Sequence, residues 1–93
     1  MEEMHDWTLL SISFDWKAAR VTVLLRTRGP VTRTLIANDV VDIKIPKRQE
    51  WGPSVSVNHT SEVTSEAAAT THLKIEMQTG DVIEIVAGTF TLT

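Results

Sequence analysis

The side chains with the clearest capacity for chemistry are three histidines, at positions 5, 59 and 72. Only His5 has an acidic neighbour, Asp6, and a His-Asp pair can bind a metal ion or relay a proton. Such a site needs convergent side chains, whereas neighbouring residues of a strand point to opposite faces. We therefore expect surface or capping histidines, with no catalytic and no metal-binding residue. A ligand-binding or enzymatic β-domain that uses His5 and Asp6 is the first alternative.

Other catalytic signatures are missing from the sequence. The absence of cysteine excludes disulfides, thiolate nucleophiles and cysteine-based zinc sites. There is no GxSxG elbow, no phosphate-binding glycine loop and no HExxH motif. We expect a protein without enzymatic activity and without a cofactor.

Three arginines, Arg20, Arg26 and Arg28, fall on one strand and can form a basic stripe along a phosphate backbone. Proteins that bind single strands also present stacking aromatic side chains, but Thr22 and Leu24 lie between these arginines and the chain has no tyrosine. The isoelectric point of about 5.5 also argues against this class. Nucleic-acid binding through the arginine face is thus the second alternative, and nucleic acid is not an expected partner.

Three of the five aromatic residues are tryptophans. The alternation of apolar residues places Trp16 on the core face of its strand, Trp7 on the opposite face and Trp51 in a loop. A tryptophan outside the core either packs under a loop or anchors a partner. The predicted partner-binding residues are therefore Trp7 and Trp51, together with Arg20, Arg26 and Arg28.

Length and composition predict one all-β domain covering residues 1–93. Thirteen Thr, ten Val and seven Ile are side chains that favour strands. No apolar run approaches the roughly 20 residues of a membrane-spanning helix. The first seven residues, MEEMHDW, lack the basic and apolar parts of a secretory signal. We expect a cytoplasmic protein that makes no membrane contact.

Alternating apolar residues define the strands of the N-terminal half. The first strand, residues 7–15, directs Leu10, Ile12, Phe14 and Trp16 inward, and the second, residues 20–28, pairs with it through a loop at Lys17 and Ala18. This register places Phe14 opposite Val21 and Asp15 opposite Arg20. A turn at Asn38 and Asp39 separates a third strand, residues 31–37, from a fourth that contains Val41, Ile43 and Ile45.

In the C-terminal half, residues 72–87 predict a hairpin with a three-residue loop, residues 78–80, and Gly80 in the left-handed conformation. Ile75 then lies opposite Ile83, and Leu73 opposite Ile85. The apolar alternation inverts after Gly88, which predicts a β-bulge or a bend. Residues 54–58 form a short strand, and residues 60–71 an irregular link with one helical turn.

These elements predict an antiparallel sandwich or a partly open roll of six to seven strands. The residues expected to be most deeply buried alternate on the inward faces of several strands. They are Ile12, Val23, Ile43, Ile75 and Ile83.

Three segments carry a resemblance. The chain resembles small uncharacterised bacterial all-β proteins in these segments. They are the opening His5-Asp6-Trp7 with Leu9, Ile12 and Phe14-Asp15-Trp16, the segment WGPSVSVN, and the closing LKIEMQTGDVIEI. The His-Asp pair before the first strand is also similar to bacterial immunity-type proteins, small β-rich domains that neutralise toxins. The resemblance implies a bacterial source and a β fold, and it brings no established activity.

The leading expectation is a non-catalytic bacterial protein-interaction domain that presents a sheet face or a loop to a protein partner or to itself. Residues 1–48 hold eight Lys and Arg against six Asp and Glu, a balance of +2, and residues 49–93 hold one against six, a balance of −5. Four apolar residues also lie off the predicted core face, namely Trp7, Leu24, Val40 and Val86. Both features favour a homodimer, with Trp51 near its rim.

Overall fold

The computed structural model describes residues 1–48 and 55–93, which form one all-β domain. Its strands are β1 (Thr8–Asp15), β2 (Arg20–Arg26), β3 (Thr32–Lys44), β4 (Val57–Ser65), β5 (Thr70–Met77) and β6 (Val82–Leu92). All pairings are antiparallel, in one sheet of order β1-β2-β3-β6-β5-β4. The predicted antiparallel all-β architecture is confirmed. Across the described ranges, no helix is long and apolar enough to cross a membrane.

The β5–β6 hairpin follows its predicted register. Ile75 lies opposite Ile83 and Leu73 opposite Ile85. Gly80 has a φ of +99°, a conformation that glycine adopts readily because it has no Cβ. The Met77 N–H donates to Asp81 O at 2.8 Å and closes the three-residue loop.

Two four-residue turns of the same design connect β1 to β2 and β4 to β5. In the first, the Ala18 N–H donates to Asp15 Oδ1 at 3.1 Å, and Ala19 has a φ of 51°. In the second, the Ala68 N–H donates to Ser65 Oγ at 3.3 Å, and Ala69 has a φ of 53°. The predicted pairing of Asp15 with Arg20 is confirmed. The predicted irregular link over residues 60–71 is wrong, because this segment is most of a hairpin.

The predicted turn at Asn38 and Asp39 is also wrong, because β3 runs through it without a break. Asp39 has a φ of 55°, and Gly88 lies beside it on β6. A Cβ on Gly88 would be 3.1 Å from the Asp39 Cβ, so a larger residue here would have to displace Asp39 by a few tenths of an ångström. On β6 the side chains that face the core change parity between Ala87 and Phe90, as the inverted alternation predicted. The extra residue of the ladder, however, lies on β3 between Val40 and Asp42, so the bulge predicted at Gly88 is on the partner strand.

The C-terminal half of β3 lies near the end of β1: the Val40 N–H donates to Ala19 O at 2.9 Å, and Val41 lines a cleft together with Phe14. A bridge between Thr8 and Ser56 joins the two ends of the sheet at one point. The sheet does not close along its whole length, and the fold is thus the partly open roll of the two predicted architectures. The core lies between the two halves of the folded sheet.

Most of the core consists of aliphatic side chains from β2, β3, β5 and β6. Val23, Ile75 and Ile83 are buried as predicted, whereas Ile12 and Ile43 are only half-buried. Both lie near the open side of the roll, where no further strand covers them among the described residues. Val40, predicted to lie off the core face, packs against the core instead.

The largest error concerns the two tryptophans at the ends of β1. Trp7 is 6% exposed and belongs to the core, whereas Trp16 is 88% exposed. The register of β1 against β2 shifts between Leu9 and Ser11, so Leu10 is an extra residue in the ladder. This bulge inverts the alternation and turns Trp7 inward. The predicted core position of Trp16 and the predicted outward position of Trp7 are both wrong.

Candidate protein-binding surface

The most exposed large apolar side chain of the described residues is Trp16, which follows the C-terminal end of β1. Its ring lies 5.8 Å from the ring of Phe14, centroid to centroid, at an interplanar angle of 32°. Phe14 is itself 41% exposed, because β1 is the last strand on its side of the sheet. The two rings therefore form an aromatic pair that is open to solvent.

The aromatic pair borders a cleft of about 300 Å³, whose other wall is the C-terminal half of β3. Val40, Val41 and Ile43 supply most of the apolar surface of this wall. A second cleft, of about 330 Å³, lies between Leu9, Leu10 and Ile12 of β1 and the chain just after β3, at Ile45 and Pro46. In both clefts β1 forms one wall, and the C-terminal half of β3 or the residues just after it form the other. We call the two clefts together the β1 cleft.

Exposed apolar side chains concentrate along this cleft. Six of the nine large apolar side chains that are exposed within the described ranges line it. They are Leu10, Phe14, Trp16, Val41, Ile45 and Val55. Such a concentration is typical of a surface that binds another polypeptide, because single exposed apolar residues scatter on ordinary surfaces.

The backbone of β1 adds a second property to the cleft. On its free side, Leu9 N–H donates to Val55 O at 2.7 Å and Trp7 O accepts from Val57 N–H at 2.9 Å. Past Leu9, the free side of β1 makes no further backbone hydrogen bond to any described residue. The cleft thus combines apolar walls with an edge strand that can pair with an added strand.

Trp7, a predicted partner-binding residue, lies instead at the closed end of the roll. The guanidinium carbon of Arg33 is 5.6 Å from the centroid of its ring, a cation–π contact. Arg33 also pairs with Glu2 at 2.8 Å. Because these contacts and the core enclose Trp7, the candidate surface does not include it. Trp51 lies outside the described residues, and its predicted role stays a prediction.

Arg20, Arg26 and Arg28 are exposed but do not form a compact basic patch. Arg20 and Arg26 begin and end β2, six residues or about 20 Å apart along the strand. Arg20 Nε donates to Asn38 Oδ1 at 3.0 Å, and Arg20 lies opposite Asp15 in the ladder. Their predicted partner-binding role stays a prediction, and the apolar cleft is the better-formed surface.

His5 and Asp6 belong to a network that fastens the N-terminal turn to β4. His5 Nδ1 lies 2.7 Å from Asn58 O, and Asp6 Oδ1 accepts a hydrogen bond from Gln78 Nε2. His5 Nε2 is 3.5 Å from Asp6 Oδ2. Both side chains are therefore occupied by structural contacts, which makes them poor candidates for a catalytic pair.

The other two histidines each lie beside a glutamate of the neighbouring strand. His59 Nδ1 lies 2.8 Å from Glu76 Oε2, and His72 Nε2 lies 3.0 Å from Glu84 Oε1. Among the described residues, no three His, Asp or Glu side chains are grouped so that they could hold a metal ion. The expected absence of a catalytic or metal site stays a prediction, and these pairs strengthen contacts between strands.

Sequence reasoning missed the functional candidates Phe14 and Trp16 because it assigned them to the core. Alternation identifies the inward face of a strand, but burial also depends on whether the strand has neighbours on both sides. One signal was present: Trp16 directly precedes Lys17 and Ala18, where the sequence predicted the loop, and it is the first residue of the turn, so its ring lies beyond the last paired residue.

Comparisons with known proteins add no assignment. No protein-family model matches the chain, and no curated protein shows significant similarity to it. The resemblance to small bacterial all-β proteins therefore stays a prediction.

Proposed function

We propose that this chain is a non-catalytic protein-interaction domain that binds an extended polypeptide segment in the β1 cleft. The observation that carries the proposal is the solvent-exposed pair Phe14 and Trp16 beside the apolar wall of β3. Tryptophan is strongly enriched among the residues that dominate binding energy at protein interfaces.

Strand addition is the binding mode that fits this geometry. An extended segment can form main-chain hydrogen bonds with an exposed sheet edge, while alternate side chains enter pockets beside it. Here β1 offers the edge, and the β1 cleft offers an apolar pocket at each end of the strand. A segment with apolar residues at every second position would satisfy both requirements.

The same geometry supports a binding role over the two alternatives. The His5 and Asp6 side chains are held by Asn58 and Gln78, away from the cleft. Nucleic-acid binding is disfavoured because the arginines of β2 are far apart. The part of the cleft beside Trp16 is mostly apolar, and its one charged side chain, Asp42, is negative. A bacterial source and a cytoplasmic location remain parts of the proposal, and cell fractionation tests the location.

The proposal is tested by selecting binders from a random peptide library displayed on phage. Val41 and Val63 provide a matched pair of variants, because their exposed fractions are 69% and 70% and only Val41 lines the cleft. Val41→Glu should weaken the selected peptides by about tenfold or more, the loss expected when a central contact of an interface is removed.

Val63→Glu should leave the affinity unchanged. Selected peptides should also alternate apolar and polar residues. The proposal is wrong if no peptide is enriched, or if the two glutamate variants bind the peptides equally well.

A further inference from the structure

Resting on the proposed function, we infer that the segment bound along β1 is β1 of a second copy of this chain. The two strands pair antiparallel about a two-fold axis at Ser13. The result is a continuous sheet through two molecules, with the same surface used on both sides.

The sequence of β1 is complementary to itself in this register. The ladder covers residues 11–15 of each copy and places Ile12 opposite Phe14 of the other copy. Ser13 meets its own counterpart, and Ser11 lies opposite Asp15. Apolar side chains thus meet apolar ones, polar side chains meet polar ones, and no like charges lie opposite each other.

The same register gives the exposed tryptophan a place to bind. Trp16 of one copy comes opposite Leu10 of the other, at the end of the cleft lined by Leu10, Ile12 and Ile45. The two-fold axis repeats this contact at the opposite end. The most exposed apolar side chain is thereby covered twice, once in each copy.

The other edge strand, β4, is a poorer candidate for self-pairing. A two-fold axis at its central residue, Ser61, would place Glu62 opposite Thr60 and Val63 opposite His59. Only two of its nine residues, Val57 and Val63, are large and apolar, and Val57 is fully buried within its own chain. The edge that offers an apolar surface to a second copy is therefore β1.

Charge substitution at the axis tests this register. Ser13 is exposed and faces its counterpart, so Ser13→Glu or Ser13→Lys opposes two like charges in the dimer. Each variant alone should dissociate more readily than the wild type, by up to about fivefold, as judged by sedimentation velocity over a micromolar concentration series. An equal mixture of the two variants should regain the dimer, because Glu and Lys then lie opposite each other.

The control is Ser61→Glu, the same substitution on β4, where the new carboxylate lies opposite Lys74. It should leave the dimer unchanged. Recovery in the mixture also shows that both Ser13 variants are folded.

Three results would overturn the inference. One is a wild type that stays monomeric throughout the series; another is a dimer that loses stability with Ser61→Glu and not with the Ser13 variants. The third is a mixture of Ser13 variants that stays monomeric. In each case, peptide binding that depends on Val41 would leave the proposed function standing, so the two failures can be told apart.

Discussion

At the scale of single residues, the two tryptophans of β1 show that residue type does not decide role. Trp7 lies beneath Arg33 with 6% of its surface exposed, whereas Trp16 has 88% of its surface in solvent. One extra residue at Leu10 separates the two outcomes. Trp7 therefore contributes to stability, and Trp16 is available for binding.

This contrast gives a prediction. Trp7→Ala should lower the free energy of unfolding by about 3–5 kcal/mol, because it leaves a cavity in the core. The loss is large against the roughly 5–14 kcal/mol expected for a chain of this length. Trp16→Ala should change the stability of the monomer by less than about 0.5 kcal/mol, as exposed positions usually do, when denaturation is measured below the concentration at which the chain associates.

Urea denaturation measures both effects, and the selected peptides provide the second readout. Trp16→Ala should lose peptide binding while keeping its unfolding midpoint. A large destabilisation by Trp16→Ala would place its ring in the core and contradict the surface described above.

At the scale of elements, the sequence predicted the β5–β6 hairpin down to its register. Strict alternation and a glycine at the turn leave one arrangement that keeps the apolar side chains on one face. The change of the core-facing parity between Ala87 and Phe90 was predictable for the same reason. Where apolar and polar residues alternated regularly, the local sequence was sufficient to predict the strand and its pairing.

Elsewhere the local signals pointed to another structure. Asn38 and Asp39 favour turns because their side chains tolerate positive φ. Here Asp39 adopts its positive φ within a continuous strand, and only the pairing of β3 with β6 distinguishes this from a turn. The strand β4 was missed because it is polar and exposed, so no burial imposes alternation on it.

The candidate site was less predictable than the fold. The sequence indicated a protein-binding domain and named Trp7, Trp51 and three arginines, whereas the cleft depends on Phe14 and Trp16, on an edge strand that is unpaired past Leu9 within the described ranges. Which strand lies at an edge follows from the strand order, and strand order is a property of the whole sheet. The alternation of residues within one strand therefore does not predict the strand order.

The two similar turns support a prediction about Ala69. Non-glycine residues with positive φ carry steric strain between the Cβ and the backbone, and Ala69 has a φ of 53°. Ala69→Gly should remove this strain, but the greater freedom of glycine in the unfolded chain offsets part of the gain. We therefore expect the free energy of unfolding to rise by about 0.5–1 kcal/mol.

Ala68→Gly is the matched control, since Ala68 lies in the same turn with a negative φ. It should be neutral or slightly destabilising in the same urea titration. Equal effects of the two glycines would show that the conformation of Ala69 carries no strain.

At the scale of the whole molecule, the basic and acidic halves of the sequence are neighbours within one chain. The basic half of the sequence holds β1 to β3, and the acidic half holds β4 to β6. The two halves meet where β3 pairs with β6, with Lys44 opposite Glu84. Charge therefore gives no separate reason for a second copy, and the case for self-association rests on the edge of β1.

The closed end of the roll is held by the segment before β1. The Met4 side chain is fully buried in the core, and Met4 O accepts a hydrogen bond from the Trp7 N–H at 2.9 Å. The Asp6 N–H donates to Val57 O at 2.9 Å, which links this turn to the start of β4. The segment thus joins the two ends of the sheet where strand pairing is limited to a single bridge.

Met4→Ala should consequently lower the free energy of unfolding by about 2–5 kcal/mol, the range for removing a buried methionine side chain. Val31→Ala, at an exposed position, is the control and should change it by less than about 0.5 kcal/mol.

Hydrogen exchange distinguishes local opening from general weakening. In Met4→Ala, the amides of Asp6, Leu9 and Val57 should lose more protection than those of β5 and β6, because they hold the closed end together. A uniform loss of protection would mean that Met4 only adds bulk to the core, and that the roll closes without it.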